Sequence, residues 1–197
     1  MEKPAVTDHP IHELLATRWS PRAFREEPVT DEQISSLLEA ARWSASCFNA
    51  QPWRFIVASR QQRDDFDALV GCLKEANQVW AGNAAVLVLV VASTRFEHNG
   101  KNNRHAGYDS GAAAAQLTAQ ATAMGLAVHQ MAGFDAGKAR EVHAIPENFE
   151  PMAVMAVGHP GEPGSLPDGL QERERAPRSR KPLSELVFTG TWGNPRR

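Results

Sequence analysis

The chain has 197 residues, 42% of them hydrophobic and 22% charged, with a formal net charge of -2. That length suits one domain with a sizeable core, and the charge balance gives no electrostatic case for nucleic acid. Cys47 and Cys72 are the only cysteines and have no CxxC or metal-ligand spacing, which argues against a disulfide framework and for a reducing compartment.

The N-terminus is polar, without an apolar core of signal-peptide length. The longest apolar run, Ala84 to Ala92, is too short to span a bilayer, so a cytoplasmic protein without membrane contact is expected. Ile11 to Thr17 reads as a short first helix. Thr30 and Gln33 then form a capping box, with Asp31 and Glu32 in the first turn and Ile34, Leu37, Leu38 and Ala41 on one face. This helix is expected to reach about Trp43. Arg54 to Ser59 reads as a strand, Gln61 to about Ala76 as one helix, and Ala85 to Val91 as a central strand, apolar on both faces.

Ser110 to Met124 is an alanine-rich helix, with Gly125 at the position of a left-handed cap. Its alanines fit close approach to another helix or a partner subunit, and equally simple helix propensity. Leu126 to His129 reads as a short strand, Asp135 caps a helix reaching His143, and Met152 to Val157 is a further strand. Gly158 to Pro177 is expected to be irregular, and Leu183 to Val187 extended. Periodicity gives one mixed α and β domain over residues 1–197, residues 158–197 forming an extended C-terminal segment, and it leaves parallel and antiparallel order open.

Four clusters carry candidate chemistry. Arg18-Trp19-Ser20-Pro21-Arg22 places two guanidinium forks and a hydroxyl within five residues, a donor set suited to phosphate oxygens, although an arginine pair beside a helix end also reads as solvated surface. Arg173, Arg175, Arg178, Arg180 and Lys181 form a basic tail that is either solvated surface or folds back onto the first pair. The polar stretch Ser44 to Trp53 offers Ser46, Asn49 and Gln51, whose side chains either read the edge of a heteroaromatic ring or satisfy a turn. Gly133, in Gln130 to Asp135, permits close backbone approach to a ligand, although a structural turn explains the same residues. Cys47 lies in the third cluster, with no neighbour in sequence that argues for a nucleophilic role. No GxGxxG, GxxxxGK[ST] or GxSxG occurs, and the seven histidines show no HExxH pairing. His105 and Tyr108, with Asn102 and Asn103, either line a pocket mouth or belong to an exposed loop that leads into the long helix.

The order of RWSPRAF, PVTDEQISSLLEAARWSAS, FNAQPWRFIVAS, AVLVLVVAS, MAGFD, VGHP and RSRKPLSELV resembles the FMN-dependent nitroreductase family along nearly the whole chain. The resemblance implies an α+β sandwich with a mainly antiparallel sheet. It also implies a homodimer with FMN at the interface and the C-terminal strand exchanged onto the partner's sheet. That exchange would bury Leu183, Leu186, Val187 and Phe188.

Residue by residue, the resemblance places Arg18 and Ser20 at the FMN phosphate and ribityl chain, with Trp19 offering its backbone. It places Arg22 near the pyrimidine edge as a stabiliser of charge, and Ser46, Cys47, Asn49 and Gln51 in the loop that touches flavin from the other subunit. The amides of Ala132 and Gly133 face the flavin N5 and O4, and Arg178 and Arg180 return to the phosphate. Asn77 corresponds to a family position ahead of the apolar strand. Two features depart from the family pattern: Ser44-Ala45-Ser46 replaces Ala-Pro-Ser, and Ala132 stands where some members carry Glu. The stretch Thr94 to Tyr108 is also short beside members with a helical insertion, which bears on the lid and on substrate size. The implied activity is ping-pong hydride transfer from NAD(P)H through FMN to a small organic acceptor such as a nitroaromatic or quinone, with no residue acting as general acid or base. The alternatives are a flavoenzyme of the same fold with other chemistry, such as dehalogenation or dehydrogenation, and a non-catalytic FMN-binding module.

Overall fold

A run in which every side chain is apolar forms a strand only where both faces of a sheet are covered. In the computed structural model, which describes residues 2–196, this is the place of β2 (Val86–Ser93), all eight of whose residues are buried. It lies inside a four-stranded sheet of order β1-β2-β4-β3, with β1 (Trp53–Ser59), β3 (Ala127–Met131) and β4 (Phe149–Gly158). Each neighbouring pair is antiparallel, which resolves the order that periodicity left open.

Side chains alternate across a strand, so β2 feeds two cores. Leu87, Leu89 and Val91 pack with Phe66, Leu69, Trp80 and Val154 on one side. Val86, Val88 and Val90 pack with Leu37, Ala41, Leu117, Ala121 and Met155 on the other. The first layer holds α3 (Arg63–Val70), α4 (Glu75–Ala81) and α6 (Ala136–Val142); the second holds α2 (Asp31–Arg42) and α5 (Ala106–Ala123). Between Val90 and Val91 the β2–β4 register shifts, with Val90 opposite Ala153 and Val91 opposite Pro151. A proline has no amide for the ladder, so its place beside an irregularity follows from chemistry.

The local signals for α2, α5 and α6 are realised. Thr30 and Gln33 make both bonds of the capping box, Gly125 adopts φ +73 after α5, and Asp135 accepts from the Lys138 amide. The alanine face of α5 packs against α2 of the same chain, where Gln120 donates to Ser36 at 3.1 Å.

Three expectations are corrected. The stretch read as one helix from Gln61 to Ala76 is two helices, because Leu73 bridges to Phe134 and Lys74 donates its amide to Gly133, which draws the backbone out of helical pairing. Gly158 to Pro177 is not wholly irregular: it contains the helix α7 (Asp168–Arg175), which starts directly after Pro167. Leu183 to Val187 is not extended, since Leu183–Leu186 forms a helical turn, α8, after Pro182. Within one chain an unpaired strand there would leave its amides without partners, and a helical turn satisfies part of them.

The segment that carries the first arginine pair is locked to the end of β4. Gly161 donates to Ala23 at 2.8 Å and Arg25 to His159 at 3.0 Å. A Cβ on Gly161 would lie 2.9 Å from the Phe24 backbone carbon, so the approach requires glycine. Denaturant unfolding of two variants should rank these contributions. Leu89→Ala, in the fully buried strand, is expected to cost about 2–5 kcal/mol. Thr30→Ala, which removes the cap, is expected to cost about 1 kcal/mol.

Candidate cofactor site

Arg18 terminates α1 (Glu13–Thr17), and Arg178 and Arg180 follow α7; the fold brings the three to one cleft of about 390 Å³. The N-terminal segment forms its other wall, with Ala5, Ile11 and Leu15. Arg178 ties the walls together by donating to the carbonyls of Lys3 (2.6 Å) and Ala16 (2.9 Å). Arg18 donates to the Ser20 hydroxyl at 3.3 Å, and Arg180 to the Ser179 carbonyl at 2.7 Å. Among the described residues none of the three guanidinium groups forms an ion pair. Burial, then Arg178 and Arg180, push the Arg18 pKa below its ordinary value; burial and then Arg180 do the same for Arg178. Asp8 and Lys181 also line the cleft, but no carboxylate among the described residues pairs with the three guanidinium groups, and such like charges make a site that an anion with several oxygens would satisfy.

Arg22 lies apart from this cleft and is held from below. The buried Glu174 of α7 accepts the amides of Arg22 (2.8 Å) and Ala23 (3.0 Å) through Oε1, and its Oε2 stands 3.8 Å from the Arg22 guanidinium. His129 of β3 bonds the Pro21 carbonyl through Nδ1 at 2.9 Å and packs on Trp80, ring centroids 4.5 Å apart. Neither Glu174 nor His129 was legible as a site residue. Glu174 sits in the charge run Glu172 to Arg175, which reads as solvated surface, and His129 sits on a short strand without a partner motif. Trp19 is covered by the Lys3 ammonium, 4.8 Å from the ring centroid.

Asn77, on α4, reaches the Gln130 to Asp135 turn and donates Nδ2 to the Gly133 carbonyl at 2.9 Å. A Cβ on Gly133 would come 2.5 Å from that nitrogen, so the glycine is required for the contact. Ala132 lies in the same turn, its carbonyl accepting from Phe134 at 3.0 Å.

The polar loop stands elsewhere. Ser46 accepts the Gln51 amide (3.0 Å), Gln51 donates to the Asn49 carbonyl (3.1 Å), and Cys47 donates its amide to the buried Asp109 of α5 (3.0 Å). Phe48, Asn49 and Gln51 all have positive φ, of 54°, 52° and 46°. Each costs about 1–3 kcal/mol in a non-glycine residue, and such strain clusters at ligand sites. None of Ser46, Cys47, Asn49 or Gln51 lines the arginine cleft. The structure therefore joins Arg18, Ser20, Arg178 and Arg180, pairs Arg22 with Glu174, pairs Gly133 with Asn77, and leaves the loop of residues 46–51 on a separate face. No group of three or more potential metal ligands occurs among the described residues, and no helix there is long and apolar enough to cross a membrane.

The nitroreductase family model matches residues 15–159, and the chain belongs to that family. It is similar to a crystal structure of an FMN-containing oxidoreductase, with 35% identity, TM-score 0.91 and 96% of each chain covered. An uncharacterised 15.4 kDa protein of Mycolicibacterium smegmatis is 39% identical over 72% of this chain and 99% of its own length. A putative NADH dehydrogenase/NAD(P)H nitroreductase of Streptomyces griseus is 23% identical over 73% of this chain and 82% of its own.

Support of the arginine segment by His129 has a pH signature. Burial is the main influence holding this imidazole below its ordinary value of 6.5, against the opposing bond to Pro21. The unfolded chain therefore takes up the proton first as pH falls. Stability from this group is complete above about 6.5 and declines below it. His129→Gln is expected to be less stable than the wild type at about pH 7 but to lose less on acidification to about pH 5, as read by denaturant midpoints.

Proposed function

We propose that the chain is an FMN-dependent oxidoreductase that takes electrons from NAD(P)H and delivers them to a small organic acceptor, such as a nitroaromatic or quinone, in a ping-pong cycle. The observation that carries this reading is the cleft of three guanidinium groups without a carboxylate partner, in a chain of the nitroreductase family. The FMN content of the similar crystal structure and the NAD(P)H-linked name of the Streptomyces relative support the same cofactors here.

The donor set fits the cofactor. Arg18, Arg178 and Arg180 with Ser20 would hold its phosphate and ribityl chain, with Trp19 in the same segment offering its backbone. Arg22 would lie at the pyrimidine edge, where a cation favours the negative charge gained on reduction. The Ala132 and Gly133 amides would face its reactive edge, from a turn whose Gly133 carbonyl accepts from Asn77. When bound, FMN supplies the hydride chemistry, and the protein supplies binding, orientation and field. No side chain acts as general acid or base.

Ser46, Cys47, Asn49 and Gln51 complete the site from a second copy of the chain, which accounts for a strained polar loop lying away from its own arginine cleft. Leu183 and Leu186 are 51% and 56% exposed and Trp192 is 91% exposed, an apolar tail suited to burial in a homodimer. The site is proposed to work in the cytoplasm.

Arg18→Ala and Arg180→Ala are expected to purify with less than half the FMN content of the wild type, measured by absorbance after denaturation. Full occupancy in both would refute the phosphate assignment. Arg22→Ala should keep most of its FMN while rapid-mixing kinetics with NAD(P)H slow by about tenfold or more, a loss of about 1.4 kcal/mol.

A further inference from the structure

Glu174 is 1% exposed, and its buried carboxylate has a divided set of partners. Oε1 takes two backbone amides, those of Arg22 and Ala23, while Oε2 has no hydrogen-bond partner and stands 3.8 Å from the Arg22 guanidinium. A buried carboxylate used only for structure would be fully satisfied by donors, since an unsatisfied oxygen carries a desolvation cost. Here the second oxygen instead faces the Arg22 guanidinium, whose side chain is 28% exposed. The backbone carbonyl of Glu174 is also engaged, by the Lys3 ammonium at 2.7 Å, so the residue is held at both ends.

We propose that Glu174 is a positioning residue that sets both the location and the effective charge of Arg22, and through it how strongly the protein favours reduced over oxidised FMN. This rests on the reading of Arg22 as a neighbour of the flavin. The carboxylate fixes the backbone at residues 22 and 23 and offsets part of the guanidinium charge. Without that offset the cation would act in full on the reduced cofactor. With the offset in place, the protein holds reduced FMN less tightly than it would with an uncompensated Arg22, which keeps the cofactor able to give its electrons onward.

The test is a double-mutant cycle of Glu174→Gln and Arg22→Met, singly and together. Gln keeps an acceptor oxygen for the two amides and removes the charge. The first readout is the ratio of FMN dissociation constants, oxidised over reduced, from anaerobic titration of the apoprotein. Glu174→Gln is expected to raise that ratio about tenfold, or about 30 mV for a two-electron couple. In the Arg22→Met background the same substitution should change it less than about twofold. An unchanged ratio, or an equal shift in both backgrounds, overturns the inference.

The second readout is the thermal midpoint of the apoprotein, independent of flavin and of whether Glu174→Gln folds. Arg22→Met strands the buried carboxylate and is expected to lower the midpoint; an unchanged midpoint overturns the inference as well. Wild-type protein that binds no FMN overturns the functional reading and this proposal together. FMN binding with an unchanged ratio overturns this proposal alone.

Discussion

Repulsion among like charges is the constraint on which this structure turns. Arg18, Arg178 and Arg180 come from opposite ends of the chain and meet in one cleft, none of them ion-paired to a carboxylate among the described residues. Such a gathering needs rigid support, and each support is visible. Arg178 is anchored on two carbonyls of the N-terminal segment, and α7 delivers the tail to the cleft. The strand β2, buried on both faces, gives the layers that carry these segments a common frame. Its central position also explains why the remaining candidate residues hang from turns at the ends of strands, where backbone can meet a ligand without breaking the ladder.

The same logic separates two kinds of buried polar group. Asp109 accepts the Cys47 amide and holds a loop with three positive φ angles. Glu174 accepts two amides and also faces a cation. Both lie beneath segments that carry proposed cofactor contacts, and both are buried carboxylates that a core built only for stability would replace with apolar packing. Each holds the geometry of a loop through backbone amides.

Much of this was legible in the residues themselves. The Thr30–Gln33 box, the Gly125 cap and the Asp135 cap are local signals with local causes, and each is realised where its spacing places it. The order of strands was not legible, because period-two patterning says nothing about which strand lies beside which. The break after α3 has no local signal, because its cause is a pairing between Leu73 and Phe134, far apart in the chain. For α7 the difficulty was composition: a helix of mostly charged residues resembles a solvated turn, and only Pro167 ahead of Asp168 marked its start. Glu174 was hidden for the same reason. Asn77, by contrast, had no signal in spacing and was reached through resemblance; its bond to the Gly133 carbonyl ties it to the predicted turn.

The central claim is that this chain binds FMN and reduces it with NAD(P)H. An absorbance spectrum of the purified protein, taken before and after anaerobic NAD(P)H, tests it most directly. Flavin bands that bleach on addition and return with an electron acceptor are the predicted result. Bands that persist would contradict the reductase reading in favour of a binding module, and no bands even after incubation with FMN would contradict the assignment of the arginine cleft itself.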